Sequence, residues 1–391
     1  MSFVSLKQKD LEKVLGLCNQ VSPKRSDIDI FTFTKIEIKD SKIKFSAINP
    51  NLFYVANIEA KDAEPKNLDI SFLIKTDLFA SSVSLISDEN IGLEIDLEKL
   101  TLVVQGSKAK HTLRIDTQNL NDFNIPQEIP ENIRASVRVL TSDLIEANKA
   151  ALISVGQPKS VYQPEFLSVC YTLSPEEKKL TVVATDRYRI TKTVLVANYD
   201  KVSEELKGQS VNYLINPKNL QLLASSSEDQ ESIELSFESD FLWIKLENSM
   251  LIIRYGDGKY PDYDKIIPQS FSCSFLVSNK DLLASLRQVY LFAKTNVVNK
   301  SITLKINPQN KKIIFSTQTQ DGYSSESSLE IENYEGVQEE WIQSFNADYL
   351  IEYINTQTSE KLLWESNPGK PSVLSPENSK EKQLYLVSGL R

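Results

Sequence analysis

The chain repeats itself three times, and that restricts its fold more than any other feature it carries. An Asp-Leu pair opening a helical pattern recurs as Lys9-Asp10-Leu11, Ser142-Asp143-Leu144 and Lys280-Asp281-Leu282, with the aspartates 133 and 138 residues apart. Apolar residues at helical spacing follow each pair: Leu11, Val14, Leu15 and Cys18; Leu144, Ala147 and Ala151; Leu282, Leu286 and Val289. Each aspartate falls in a first turn, where the helix dipole favours negative charge. Ser278 stands where it can cap the third helix, with Asp281 three residues on. A second helix start follows in each unit, at Ile74–Phe79, Ile215–Leu220 and Phe345–Leu350, with Phe79, Leu220 and Leu350 placed 68, 76 and 68 residues after the leucine of the first. Asn216 before Pro217, and Asn346, are N-cap signals.

Strand-like runs fill the gaps. Lys42–Ala47, Leu180–Ala184 and Lys312–Thr317 lie between the helices, and Ile91–Leu97 and Ile233–Phe237 follow the second ones. The last two alternate apolar and polar, as a sheet with one buried face requires. Polar, proline-bearing linkers stand at Asn124–Asn132 and Ile267–Phe271. The expectation is an α+β chain of three like domains, each with two helices packed on antiparallel sheets, at 1–130, 131–269 and 270–391. Three like domains in a row suggest a quasi-symmetric arc, and an arc with complementary ends closes by self-association.

Composition narrows the function. Hydrophobic residues are 41% and charged residues 25%, which is globular. No apolar run reaches the ~18 residues of a membrane span, and the first residues lack a signal-peptide core. The three cysteines, Cys18, Cys170 and Cys273, are far apart and read as reduced core residues of a cytosolic protein. A net charge of -9 argues against a protein coated with nucleic-acid-binding charge, while leaving room for a local basic face. The single histidine, His111, removes a His-rich zinc site, and no cysteine pair has ligand spacing. A Ser-His-Asp triad would have to use His111, with no nucleophile motif in sight. There is no glycine-rich phosphate loop among the 11 glycines and no recognisable carboxylate pair. Neither catalysis nor a cofactor or metal is expected.

Val183–Ile190 carries the most specific chemistry. Its apolar start reads as a strand exit, and Thr185 and Asp186 bring turn chemistry. Arg187 and Arg189 then flank Tyr188, which suits a peptide-docking or anion-docking spot. The competing reading is that Asp186 simply pairs with Arg187 or Arg189 at the turn.

Four segments resemble the bacterial DNA polymerase III β subunits, the sliding clamps: Ala184–Ile190, Lys259–Pro268, Phe345–Leu350 and Tyr385–Arg391. The resemblance covers essentially the whole length. It implies a head-to-tail homodimer closing into a ring of six like domains, with helices lining a hole through which duplex DNA threads. Such a ring is a non-catalytic processivity factor, cytoplasmic and nucleoid-associated, that tethers the polymerase by topology. DNA contact would use phosphates without base readout, drawing on Lys7, Lys9 and Lys13 of the first helix, which otherwise read as a solvated face. Lys24, Arg25 and Lys159 would add loop contacts. The strand His111–Leu113 would meet the helix around Phe292 of the other subunit.

The resemblance also implies a pocket for short linear peptides of the polymerase III α subunit, the clamp loader complex and other polymerases and repair proteins. By position, its wall is Phe166, Thr185, Arg187, Tyr188, Arg189, Ile190, Pro261, Lys265, Ile266, Asn346, Tyr349 and Ser372, with Leu386, Ser388, Gly389 and Leu390 from the C-terminus. Apolar walls would take leucine and phenylalanine anchors, and Arg189 and Lys265 would meet peptide carbonyls or acids. Taken singly, Pro261 reads as a turn proline, and Ile190 and Ile266 as core.

The chain departs from the pattern in several places. Arg187 stands where a small residue is common. Ser388-Gly389-Leu390 replaces Met-Pro with a hydrophobe, and the final hydrophobe after Arg391 is absent. The first domain has Ala47-Ile48-Asn49-Pro50 in place of Ala-Thr-Asp. A pocket with less apolar wall and an added cation is expected to be shallower and to favour more acidic peptides. His111 stands where a larger apolar residue is common, which implies a weaker or pH-sensitive dimer. Two rival readings are a β-rich repeat protein that encircles nothing, and an enzyme with hidden carboxylate chemistry.

Overall fold

The structure, a computed structural model, describes residues 2–126, 128–158, 163–227, 230–295, 300–379 and 381–390. Six α-helices occur among them: α1 (Gln8–Val21), α2 (Thr76–Ser84), α3 (Thr141–Leu152), α4 (Pro217–Ser227), α5 (Asn279–Ala293) and α6 (Ala347–Thr356). The repeat is visible in the order of elements. Three times the described chain runs through one strand, a helix, five strands, a helix and three strands. Ser278 caps α5 by accepting from the Asp281 N–H at 3.3 Å, and Asn346 caps α6 by accepting from Asp348 N–H at 3.0 Å. Pro217 opens α4, where its missing N–H leaves no bond unmade.

Packing divides the chain into two compact units that do not follow the repeat. The first takes Met1–Ser142, Asn198–Lys207 and Lys218–Tyr255; the second takes Asp143–Ala197, Gly208–Pro217 and Gly256–Arg391. The first unit is built on one antiparallel sheet of 14 strands. The join between repeats within it is a strand pair, Ser249–Arg254 against Leu52–Glu59, in the register Ser249↔Ala56, Leu251↔Tyr54 and Ile253↔Leu52. α1 lays Leu11, Leu15 and Cys18, all fully buried, toward the strands Lys42–Asn49 and Leu52–Glu59 and against α2. Strand alternation holds: in Asn90–Asp96 the side chains of Ile91, Leu93 and Ile95 are buried and their neighbours are not.

The second unit has a nine-stranded and a four-stranded antiparallel sheet. The nine-stranded sheet also joins two repeats, through Arg189–Val196 and Gln383–Val387, in the register Arg189↔Val387, Ile190↔Leu386 and Thr191↔Tyr385. Beneath it lies an aromatic core in which Tyr353 stacks on Tyr385 at 4.3 Å and Phe275 on Trp364 at 5.8 Å, all fully buried. Each such ring buried contributes about 1.5–3 kcal/mol against about 1 kcal/mol for a typical cap, so packing dominates the stability of the unit.

The cysteines are free and buried. Desolvation pushes the Cys18 and Cys170 thiols up to about 12 and Cys273 to about 11. The thiolate is the reactive form. Iodoacetamide at pH 8 is therefore expected to leave the folded chain unlabelled and to modify all three positions in urea, as read by intact mass. Labelling of the folded chain would show that one of these cores opens.

Candidate functional site

The site grows from the tight loop between the strands Lys179–Thr185 and Arg189–Val196. Thr185 Oγ1 donates to the Arg189 carbonyl at 2.7 Å and accepts from the Arg187 N–H at 3.1 Å. Asp186 Oδ1 accepts from the N–H groups of Tyr188 and Arg189 at 3.0 and 3.1 Å. Its other oxygen takes Arg189 Nε at 2.9 Å. The pairing of Asp186 with Arg189, one of the two readings of this turn, is therefore present, and it organises the loop. Arg189 is buried. A second carboxylate, Glu352 of α6, pairs with its Nη1, and its guanidinium lies 4.2 Å from the Tyr349 ring centroid. Burial alone would lower the Arg189 pKa; the Tyr385, Asp186 and Glu352 oxygens outweigh it and hold the guanidinium above its ordinary value.

Arg187 has a φ of 80°, a left-handed conformation that glycine adopts freely and other L-residues avoid. The Arg187 side chain is exposed, with its guanidinium carbon 5.9 Å from the ring centroid of Tyr188, itself 54% exposed.

The remaining expected wall residues fall into three groups. Ile190 and Leu386 belong to a buried cluster with Cys170, Val183, Tyr260, Tyr263 and Val373, so their side chains are core. Phe166, on the single turn Pro164–Leu167, and Ser372, whose hydroxyl bonds Ser366 at 2.8 Å, are also buried. Ile266 and Tyr188 are each 54% exposed, two accessible apolar side chains of the expected wall. Pro261, Asn346, Tyr349, Ser388, Gly389 and Leu390 are half-buried. Lys265 is exposed and paired with Asp262 at 2.7 Å, while Lys192 ties Asp264 of the same segment to the strand beside the loop, also at 2.7 Å.

The C-terminal residues are pinned. The Ser388 N–H donates to the Tyr188 carbonyl at 2.9 Å and the Leu390 N–H to the Ser344 carbonyl at 2.7 Å. A Cβ at Gly389 would stand 2.4 Å from Gln343 Nε2, whose amide donates to the Lys370 carbonyl at 2.6 Å. Gln343 thus fills the space a larger residue at 389 needs. The loop Thr185–Ile190, the C-terminal residues and Tyr349 are drawn together by these bonds and by the Arg189↔Val387 register. Glu352 and Gln343 were not anticipated from sequence; Glu352, three residues after Tyr349 on one helix face, carried the available signal.

A second surface lies on strand edges. In the first unit, residues Lys110 to Arg114 of the strand Lys110–Asp116 pair with Thr101–Gln105, and the strand meets Asp69–Lys75 only at Leu73↔Asp116 and Ile74↔Ile115. Among the described residues, no second strand pairs with residues 110–114, so one edge of that stretch is open. His111 and Leu113 on it are half-buried; beside it α2 exposes Leu78 (56%), and Leu85 (72%) is exposed directly after that helix, two residues sequence reading passed over. In the second unit, Ser324–Glu330 is the outer strand of its sheet. Phe292, in the last turn of α5, stacks on Tyr323 at 6.1 Å, and Leu291 (55%) and Tyr323 (62%) are exposed. Lys24 and Arg25 are exposed just after α1, as are Lys7, Lys9 and Lys13 in and beside it; Lys159 lies outside the described residues.

No protein-family model matches the chain. The beta sliding clamp of Helicobacter pylori strain 26695 is 22% identical over 396 residues, covering 98% of this chain and 96% of that protein. Among solved structures, a DNA polymerase III subunit beta from Pseudomonas aeruginosa superposes with a TM-score of 0.86 at 15% identity, covering all of both chains. A DNA polymerase sliding clamp from Bacillus subtilis does so with a TM-score of 0.85 at 19% identity, covering 100% of this chain and 99% of that one. Over its whole length this chain is similar in sequence to bacterial beta sliding clamps and shares the fold of their solved structures.

Proposed function

We propose that the chain is a DNA sliding clamp, a non-catalytic processivity factor that encircles duplex DNA and tethers the replicative polymerase. What carries the reading is likeness to beta sliding clamps over the full length together with the gathering of Arg187–Ile190, Tyr349 and Ser388–Leu390 at the join between two repeats. In this reading the domains are 1–130, 131–269 and 270–391, and that join is the peptide pocket between the second and third. The polymerase III α subunit, the clamp loader and other polymerases and repair proteins would present linear peptides to it in the bacterial cytoplasm. Exposed Tyr188 and Ile266 offer the apolar rim, while the buried side chains of Ile190, Leu386, Phe166 and Ser372 set its floor.

Two copies close head to tail through the open edges. Leu78, Leu85, His111 and Leu113 of one copy would cover Leu291, Phe292 and Tyr323 of the other. An antiparallel register with Thr112 opposite Ser328 sets Lys110 against Glu330 and Arg114 against Glu326, and keeps the exposed faces of both strands on one side. Lys7, Lys9, Lys13, Lys24 and Arg25 would meet phosphates without reading bases. Topology is the test: a ring is held on closed circular DNA and lost from linear DNA, whereas an electrostatic binder treats both alike. Equal behaviour on both forms would favour the rival reading, a β-rich repeat protein that encircles nothing.

A further inference from the structure

We propose that Gln343 is a positioning residue of the peptide pocket: it sets where the C-terminal wall stands, and through that wall the size of apolar anchor the pocket admits. The inference rests on the pocket reading above and goes beyond it in naming what limits the ligand.

Four observations lead to it. First, Gly389 lies outside the left-handed region, so its backbone would accept other residues. What excludes a side chain there is Gln343. An added Cβ would overlap its Nε2 and stand 3.2 Å from its Cγ and Cδ. Second, Gln343 is not free to swing aside. It is 6% exposed, and its Nε2 donates to the Lys370 carbonyl at 2.6 Å. Trp341 and Phe345, both in the buried core, flank it on the same face of its strand. Third, the amide does not serve the core. Its Oε1 is sealed from solvent with no hydrogen-bond partner among the described residues, a cost that an apolar side chain of the same length would avoid. Fourth, Gly389 is held on both sides. The Ser388 N–H is tied to the Tyr188 carbonyl at 2.9 Å and the Leu390 N–H to the Ser344 carbonyl at 2.7 Å. The backbone of 388–390 therefore rests on the amide between two ties, one of them to the loop that carries Tyr188. Packed neighbours transmit a change of volume, so shortening Gln343 lets this wall settle back.

The first test uses the full-length chain and capped synthetic hexapeptides with two apolar anchors, one kept as Leu and the other Ala, Leu, Phe or Trp. Binding is read by fluorescence anisotropy. The parent is expected to favour Leu over Trp at the varied anchor. Gln343→Ala should raise the Trp-to-Leu affinity ratio at least about fivefold, the scale on which an apolar pocket discriminates by size. Gln343→Met fills the same length without the amide and should keep the parent's ratio. A merely structural role would weaken every peptide by one factor and leave the ratio unmoved. The second test needs no peptide. Gly389→Leu should lower the melting temperature read by circular dichroism, and adding Gln343→Ala should recover part of that loss, because the two side chains compete for one space. The proposal is overturned if the ratio is unchanged in Gln343→Ala although the peptides bind, or if the losses of the two single variants simply add. If no peptide of the series binds the parent chain, the pocket reading itself fails and this inference with it, whatever the melting shows.

Discussion

Arg189→Ala is expected to lower the stability of the second unit by about 3 kcal/mol, because it strips the counter-charge from a buried carboxylate. The Asp186 side chain is 12% exposed and that of Arg189 9%. Removing the guanidinium leaves Asp186 with backbone donors alone, and it also deletes the stack on Tyr349. Glu352 is 46% exposed, and water screens its share of the loss. Urea unfolding should show a lower midpoint, and amide exchange at Tyr188–Ile190 should accelerate. Arg189→Met combined with Asp186→Asn should recover much of the loss, since a neutral pair restores satisfied groups without an orphan charge. A loss below about 0.5 kcal/mol in the single variant would mean that the triad is solvated, as surface pairs are. Any drop in peptide binding by Arg189→Ala then follows from a disordered loop, not from one missing contact.

Leu113→Asp is expected to convert a two-chain species into single chains of 44.3 kDa. A head-to-tail contact that closes after two copies occurs twice per ring, so the penalty is counted twice. Burying an unpaired carboxylate costs several kcal/mol at each contact, which together weakens the dimer by more than about a thousandfold. Light scattering at micromolar concentration should give about twice the chain mass for the parent and the chain mass for the variant. The register makes a second demand. Lys110→Glu with Arg114→Glu should separate the copies, and Glu326→Lys with Glu330→Lys added to the same chain should reunite them. Failure of the rescue would discard the register while leaving the apolar contact to be judged by Leu113→Asp.

Much of the fold was legible because it is local. Asp-Leu starts, apolar spacing and the caps Ser278 and Asn346 act within one or two turns, so all six helices could be placed. The joins between repeats were not legible. Ser249–Arg254 pairs with Leu52–Glu59 almost two hundred residues away by backbone bonds, and backbone pairing leaves no side-chain signature. The site divides the same way. The turn of Thr185 and Asp186 could be read from residue type, whereas the Arg189–Glu352 pair spans a separation of 163 residues. Arg187 could be seen as unusual in sequence; only its φ of 80° shows why. Leu78 on α2 and Leu85 just after it look like core spacing, and their exposure becomes apparent only when the strand beside them is seen to have an open edge.

The most direct measurement of the central claim is retention on DNA of one sequence in two topologies. The chain, dissociated by dilution and reassociated in the presence of closed circular duplex, is washed at about 0.5 M salt, where phosphate contacts are largely screened. A single restriction cut then opens the circle. A ring should stay on the circle through the wash and leave when the DNA is cut. Loss during the wash from circular and linear DNA alike, or retention after the cut, would contradict the account.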